Sequence, residues 1–290
     1  MSTVAYPLDL VALVFRGLKS RPFLQGMATN NMDLLMKGTV LPTLFCQYQG
    51  KLFASGYLLE QHDDEIWLLS TCTQARLALD HLARYARLSS VTLSIQSIRA
   101  EGVVTTDAYP TPLYVLQADK ERFSVMVGQH CQLFWSVDES SLATSSKKPV
   151  LEWQASLTQA GVPIIGDAVL NRFTPNQLGL VPSDWVRLDK GCYCGQEIIA
   201  RTFHLGKTQR RLITLHCQLD SSMAFEAGTT LKTASGAKLL LLCVTKIGSG
   251  PDALLQVACS ADALDIGNLI ITIPQGHTIA CKQVDYVATN

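Results

Sequence analysis

Lys190-Gly191-Cys192-Tyr193-Cys194-Gly195-Gln196-Glu197 carries the most specific information in the chain. Two glycines frame a tyrosine held between two thiols, and a Gln–Glu pair leads into the apolar Ile198-Ile199. Glycines at these positions let main chain approach a ligand closely or take positive φ. The step from Gly195-Gln196-Glu197 into Ile198-Ile199-Ala200 predicts a loop feeding a short helix, whose first N–H groups suit an anionic or polar ligand. Lys190 and Arg201 put positive charge on either side of the thiols, which favours thiolate at a nearby cysteine.

Just downstream, the window between Glu197 and Asp220 contains no acidic residue but holds Arg201, His204, Lys207, Arg210, Arg211 and His216. Such an excess of cation fits a carboxylate- or phosphate-bearing ligand, and it equally fits a solvated basic face. Cys192 taken alone reads as a reactive thiol or as a small buried apolar group. Cys192 and Cys194 lack a second cysteine pair to complete a metal site. The chain has 9 cysteines and no C-x-x-C spacing, and none of its 6 histidines is spaced from another like a metal ligand. No resident metal is expected.

Farther out, the chain organises into mixed helix and strand followed by strands alone. Pro22–Gly26 predicts a helical turn entered from Ser20. Thr43–Tyr48 and Leu52–Glu60 are extended runs around Gln49-Gly50, a hairpin pattern, and Ile66–Ser70 continues as strand after an acidic turn. From Thr71 to Leu88 the period becomes helical: Ala75, Leu79, Leu82 and Ala86 share a face, and Thr71 with Gln74 makes a capping-box pattern. Val91–Ile98, Tyr114–Gln117 and Cys131–Val137 return to alternation. Ser140–Lys148 is rich in Ser, Thr and Lys and reads as a boundary loop. Pro149–Ala160 is a second helix, with Val150, Trp153 and Leu157 on one face and Gly161 and Pro163 ending it. From Arg210 onward nearly everything is short strand with turns such as Ser235-Gly236, which predicts a small antiparallel barrel. The division expected is residues 1–208, with two interleaved subdomains, and residues 209–290.

The 290 residues, 48% hydrophobic and 17% charged, are enough for a sizeable core and exclude a largely disordered chain. Lys+Arg and Asp+Glu are 24 each, which argues against a globally basic nucleic-acid binder or a polycationic membrane-surface protein. The greasiest run, Leu239–Val244, is strand-sized, so no membrane span is expected. No positive charge precedes Arg16, and the scattered cysteines fit a reducing, cytoplasmic setting.

KGCYCGQE resembles the K-G-C-[FY]-x-G-Q-E motif of the YgfZ family, folate-binding proteins related to the aminomethyltransferase (T-protein) of the glycine cleavage system. Other elements follow in order. Phe23-Leu24-Gln25-Gly26 with Thr29-Asn30 resembles F-L-Q-G-x-x-T, and Gly50-Lys51 sits where the family has a G-K hairpin. His81–Val91 is similar to its K-Y-x-x-x-S-x-V segment. Ala160–Pro163 resembles A-G-[IL]-P, Phe173-Thr174-Pro175 resembles F-x-P-Q, and Gly206–Leu212 resembles G-x-x-K-R-x-L. The resemblance thus spans essentially the whole chain. It departs at Asn176, where Gln is usual and Gln177 stands beside it, at Leu157, where Arg is common, and at Cys194, a variable position seldom Cys.

The resemblance implies an α+β, aminomethyltransferase-like fold: two α+β subdomains and a C-terminal antiparallel β-barrel around a central opening that holds tetrahydrofolate or a derivative. It implies a monomeric accessory protein that supports assembly or repair of iron–sulfur clusters in client enzymes, including tRNA-thiolating enzymes. Its partners are then folate and iron–sulfur client or assembly proteins, with no nucleic acid or membrane touched directly. Activity is expected to depend on Cys192, at the mouth of the folate opening, with a transient cluster on its sulfur as one option. The alternative is a tetrahydrofolate-dependent aminomethyl or one-carbon transferase. A folate pocket needs flat walls, amides or a carboxylate for the pterin edge, and cations for the glutamate tail. Tyr193 and Phe203 are candidates for walls, and Asn176, Gln177, Gln196 and Glu197 for the edge. Lys190, Arg201, Lys207, Arg210 and Arg211 are the cations. Glu197, as a bidentate carboxylate, is the first choice for the pterin edge, with charge stabilisation of a helix start as its structural alternative.

Overall fold

Ala12–Phe15 and Ile66–Leu69 are apolar at every position, as strands are when both faces of their sheet are covered. In the computed structural model, which describes residues 4–105, 113–119, 122–137, 151–206, 209–220, 223, 225–260, 268–274 and 276–284, these runs are neighbours in one antiparallel sheet. That sheet has the order β3-β4-β5-β2-β6. Its strands are β2 (Leu10–Arg16), β3 (Val40–Cys46), β4 (Leu52–His62), β5 (Glu65–Thr71) and β6 (Thr92–Ser97). Leu13, Phe15, Ile66 and Leu68 face α1 (Ser20–Gln25) and α2 (Cys72–Leu88), while Ala12, Val14, Trp67 and Leu69 face the centre of the molecule.

A second antiparallel sheet is ordered β1-β7-β10-β9-β8: β1 (Val4–Leu8), β7 (Arg99–Val104), β8 (Leu116–Asp119), β9 (Arg122–Gly128) and β10 (Cys131–Ser136). The chain passes between the two sheets at Asp9 and at Ile98. From Arg210 six strands close a barrel, β11-β14-β13-β12-β15-β16: β11 (Arg210–Gln218), β12 (Thr230–Thr233), β13 (Lys238–Lys246), β14 (Asp252–Ser260), β15 (Asn268–Thr272) and β16 (Thr278–Val284). Alternate residues, Ile213 and Leu215, Leu239 and Leu241, Leu255 and Val257, fill its interior. Leu240, Leu242 and Ala258 point outward into the central core, where they meet Trp153 and Leu157 of α3 (Leu151–Gln159). Closure removes the exposed strand edges of this third unit. The α+β architecture with a terminal barrel is the one expected.

Two local outcomes differ from the sequence reading. Strands form over Val4–Leu8, Leu10–Arg16, Arg99–Val104 and Arg122–Gly128, where none is expected. The Thr71/Gln74 pattern is realised on one side: Thr71 Oγ1 accepts the Gln74 N–H at 3.3 Å. The Gln74 side chain instead accepts from Ser55 N and donates to Ile165 O, both at 2.8 Å, because it is buried between α2 and the sheet and tertiary partners replace the reciprocal cap. The boundary loop Ser140–Lys148, the helix start at Pro149-Val150, and Lys207 lie outside the described residues.

Candidate functional site

The KGCYCGQE loop and the Phe23–Asn30 stretch, far apart in sequence, are locked together. The Lys190 ammonium donates to Gln25 O (2.7 Å), Ala28 O (2.8 Å) and Asn30 O (2.7 Å), using all three protons. It also lies 5.1 Å from the Tyr193 ring centroid. Burial lowers its pKa to about 8, against the upward pull of Asp33. Cys194 N donates to Gly26 O, and Arg187 N to Thr29 O. Thr29 Oγ1 donates to Trp185 O at 2.7 Å, and Asn30 Nδ2 reaches both Pro42 O (2.7 Å) and Asp184 O (2.6 Å). Thr29 and Asn30 are buried, so these bonds fix residues 184–194 against the first sheet.

Gly195 ends this loop with φ +84° and precedes α4 (Gln196–Leu205). A Cβ there would lie 2.5 Å from Gln47 O and 3.0 Å from Gly50 Cα, so only glycine lets the 47–51 hairpin seat on the helix start. Cys192 is exposed, Cys194 half-buried, and Cys46 beside it buried. Burial raises the Cys194 thiol, so the expected thiolate-favouring effect of flanking cations does not hold at that residue: the Lys190 charge is turned onto carbonyls and Tyr193. Tyr193 is 6% exposed and packs in the central core, and burial also raises its phenol. Glu197 and Arg201 are exposed on α4, and Phe203 rests against His204 there. Gln196 Nε2 turns back to Lys190 O at 3.4 Å. Asn176 Nδ2 donates to Ile199 O (3.1 Å), which ties the 174–177 turn to α4, while exposed Gln177 and Thr174 bond each other reciprocally. Arg210 Nη1 reaches Gln177 O at 3.4 Å. Among the described residues, no group of three or more His, Cys, Asp or Glu stands together as a metal site.

A cavity of about 400 Å³ opens where the second sheet, the 179–185 segment and the barrel meet. This falls within the ~300–1,000 Å³ usual for small-molecule sites. Tyr114 and Trp185 give it aromatic walls, and Tyr57 sits behind them, 6.3 Å from Tyr114 and 5.3 Å from Trp185 between ring centroids. Its polar groups are Gln129, Gln159, Ser183, Asp184 and Arg211. Burial, and then the Asp184 charge, hold the Tyr114 phenol well above its ordinary pKa, so it stays a donor. Gly179, at φ +70°, accepts the Leu212 N–H, and a Cβ on it would lie 2.4 Å from the Arg211 carbonyl carbon. The segment is thereby pressed onto β11 beside Arg211.

Flat walls, amides, a carboxylate and a cation therefore converge, but on residues other than those read from the sequence. None of Lys190, Cys192, Tyr193, Gln196, Glu197, Arg201, Asn176, Gln177 or Arg210 lines this cavity. Arg211 does. The 190–197 loop supports the cavity from behind, through the bonds that Thr29 and Asn30 make to residues 184 and 185. A signal for the missed residues exists: Asp184-Trp185 follows a Pro- and Gly-punctuated segment, and Tyr114 another Pro-rich one.

The architecture defines the class first. The chain shares its fold with the glycine cleavage system aminomethyltransferase T of Bartonella henselae, with a TM-score of 0.73 at 12% identity over 98% of this chain and 85% of that one. No family model matches the chain. A protein named tRNA-modifying protein YgfZ from Colwellia psychrerythraea is 22% identical over 227 residues (72% of this chain, 70% of its own), and one of that name from Edwardsiella ictaluri is 25% identical over 227 residues (71% and 69%). An uncharacterised protein of Haemophilus influenzae is 26% identical over 205 residues (70% and 69%). These relatives and the KGCYCGQE motif make the chain similar to proteins of the YgfZ family, on a fold shared with the T-protein. No helix among the described residues is long and apolar enough to cross a membrane.

Proposed function

We propose that the chain binds a reduced folate in the cavity between Tyr114, Trp185 and Arg211, and acts as an accessory factor that sustains iron–sulfur enzymes, including those that thiolate tRNA. One observation carries the folate reading: a single cavity offers aromatic walls, the Asp184 carboxylate and the Arg211 guanidinium together. The pterin would lie against the rings, with its amino edge on Asp184, and the glutamate tail would reach Arg211. Exposed Cys192 stands outside that cavity, and in this reading its thiol meets a partner protein or holds a cluster in transit.

Thermal shift and calorimetry with tetrahydrofolate test the pocket. Asp184→Asn and Arg211→Ala should each weaken binding by about tenfold or more, the scale of one lost charge-assisted bond at ~1.5–3 kcal/mol. Unchanged affinity in both variants sinks the assignment. Cys192→Ser should bind folate like the unsubstituted chain yet fail to sustain a tRNA-thiolating client in cells that lack the protein.

The Asp184 carboxylate inside the cavity also favours a second reading, one-carbon transfer, because such chemistry needs a proton acceptor at the folate amine. Production of a one-carbon tetrahydrofolate from an aminomethyl donor, lost in Asp184→Asn, would select it over the accessory role.

A further inference from the structure

Cys217 on β11 and Cys281 on β16 face each other directly, the last pair of the ladder those strands share. Both point into the barrel interior and are almost wholly buried. Directly opposed residues of an antiparallel pair have Cα atoms about 4.5 or 5.5 Å apart, inside the ~4.4–6.8 Å that a disulfide spans. The β11–β16 ladder ends at this pair, while β11 stays paired to β14 through Gln218 and β16 to β15 through Thr278. No other described cysteine stands opposite a cysteine in a strand register: Cys46 stands opposite Leu52, Cys131 opposite Val104 and Gly128, Cys243 opposite Gln256, and Cys259 opposite Arg211, while Cys46 neighbours Cys194 of the 190–197 loop. A cavity of about 460 Å³ reaches both sulfur-bearing residues, rimmed by His216, Met223, Thr278 and Lys282.

We propose that Cys217 and Cys281 form a redox-responsive dithiol in the barrel wall, closed to a disulfide by exchange with a small-molecule disulfide such as glutathione disulfide. The neighbouring Cys281 thiol, whose S–H reaches Ile279 O at 3.8 Å, lowers the Cys217 pKa, against burial and the Asp252 charge, which His216 Nε2 faces at 3.3 Å. Cys217 is therefore the nucleophile. Its thiolate attacks one sulfur of the small disulfide, whose S–S bond breaks and releases one thiol. Cys281 then loses its proton and attacks the Cys217 sulfur, expelling the second thiol. Two protein thiols are oxidised, one small disulfide is reduced to two thiols, and the two protons leave on those thiols. The bond ties the first barrel strand to the last.

The whole chain, incubated with glutathione disulfide, alkylated and mapped by mass spectrometry, tests this. The expected product has lost two hydrogens, has Cys217 and Cys281 joined, and melts at a higher temperature because its unfolded state is cross-linked. Cys281→Ser should trap one glutathionyl group on Cys217, whereas Cys217→Ser should leave Cys281 unmodified. A chain in which Cys217 and Cys281 stay reduced while Cys192 or Cys194 reacts overturns the proposal. So does a glutathionyl group on Cys281 in Cys217→Ser, which would reverse the order of attack.

Discussion

Glu65 and Lys190 show how single charges are held ahead of the barrel. Glu65 lies opposite Arg16 in the β2–β5 register. Its carboxylate accepts Trp67 Nε1–H and Arg16 Nε–H, both at 2.7 Å. Burial alone would raise its pKa, but those donors and the charges of Arg16 and His62 outweigh it, so the carboxyl sits below its ordinary 4.5. A depressed folded-state value means the stabilisation is complete above the ordinary range and is lost as pH falls through the lowered one. Glu65→Gln should therefore cost about 1–3 kcal/mol near neutrality, the scale of charge-assisted bonds. The gap to the unsubstituted chain should close in acid, read by urea unfolding at several pH values. A constant gap would mean that the charge is not what matters. Lys190 is the opposite case, a cation whose protons all meet carbonyls while the Asp33 carboxylate acts on it only as a nearby charge, and the sequence could not separate that job from ligand binding. A lysine beside a motif glycine looks the same whether its protons meet a substrate or main chain 160 or more residues earlier.

At the scale of elements, the junction between the signature loop and α4 is what the motif builds. The two glycines of the motif look alike in sequence but differ in demand. Gly195 is at positive φ against Gln47 O, while a Cβ on Gly191 would meet nothing within 4 Å. Gly195→Ala should cost about 1–3 kcal/mol of stability, through strain and displacement of the hairpin, and Gly191→Ala should be near neutral, both by denaturant unfolding. Equal effects would show that the junction is not the constraint. Elements with a strong local rhythm were legible: α2, the hairpin at Gln49-Gly50, the helix after Gly195 and the barrel strands. Strand β7 was not, because it buries Glu101 and leaves Gly102 bare for the Trp153 ring, so its inner face does not read as apolar. Nor was the cavity. Tyr114, Asp184 and Arg211 share no local pattern and meet only when the second sheet, a connecting segment and the barrel close on one another.

That convergence is a property of the whole molecule. The central core draws Val14 and Trp67 from the first sheet, Leu133 and Trp135 from the second, Trp153 from α3, and Leu240 and Ala258 from the barrel. Each unit thus buries one face in common, and the cavity lies along the seam, walled by Val127 of β9, Trp185 and Leu212 of β11. A ligand held there contacts parts that otherwise open separately, and it stabilises them by about 2.7 kcal/mol at a hundredfold excess over its dissociation constant. Saturating tetrahydrofolate should accordingly slow amide hydrogen exchange in three places at once: at Tyr114 and Leu116, which bond to Met126 and Gly38, at Arg187, which bonds to Thr29, and at Leu212, which bonds to Gly179. The Leu116, Arg187 and Leu212 bonds join elements distant in sequence and must break when those elements part, whereas the Tyr114 bond lies within the second sheet and reports on the cavity wall itself. Protection confined to the second sheet, with β11 exchanging as freely as before, would place the ligand on one unit instead of among all three.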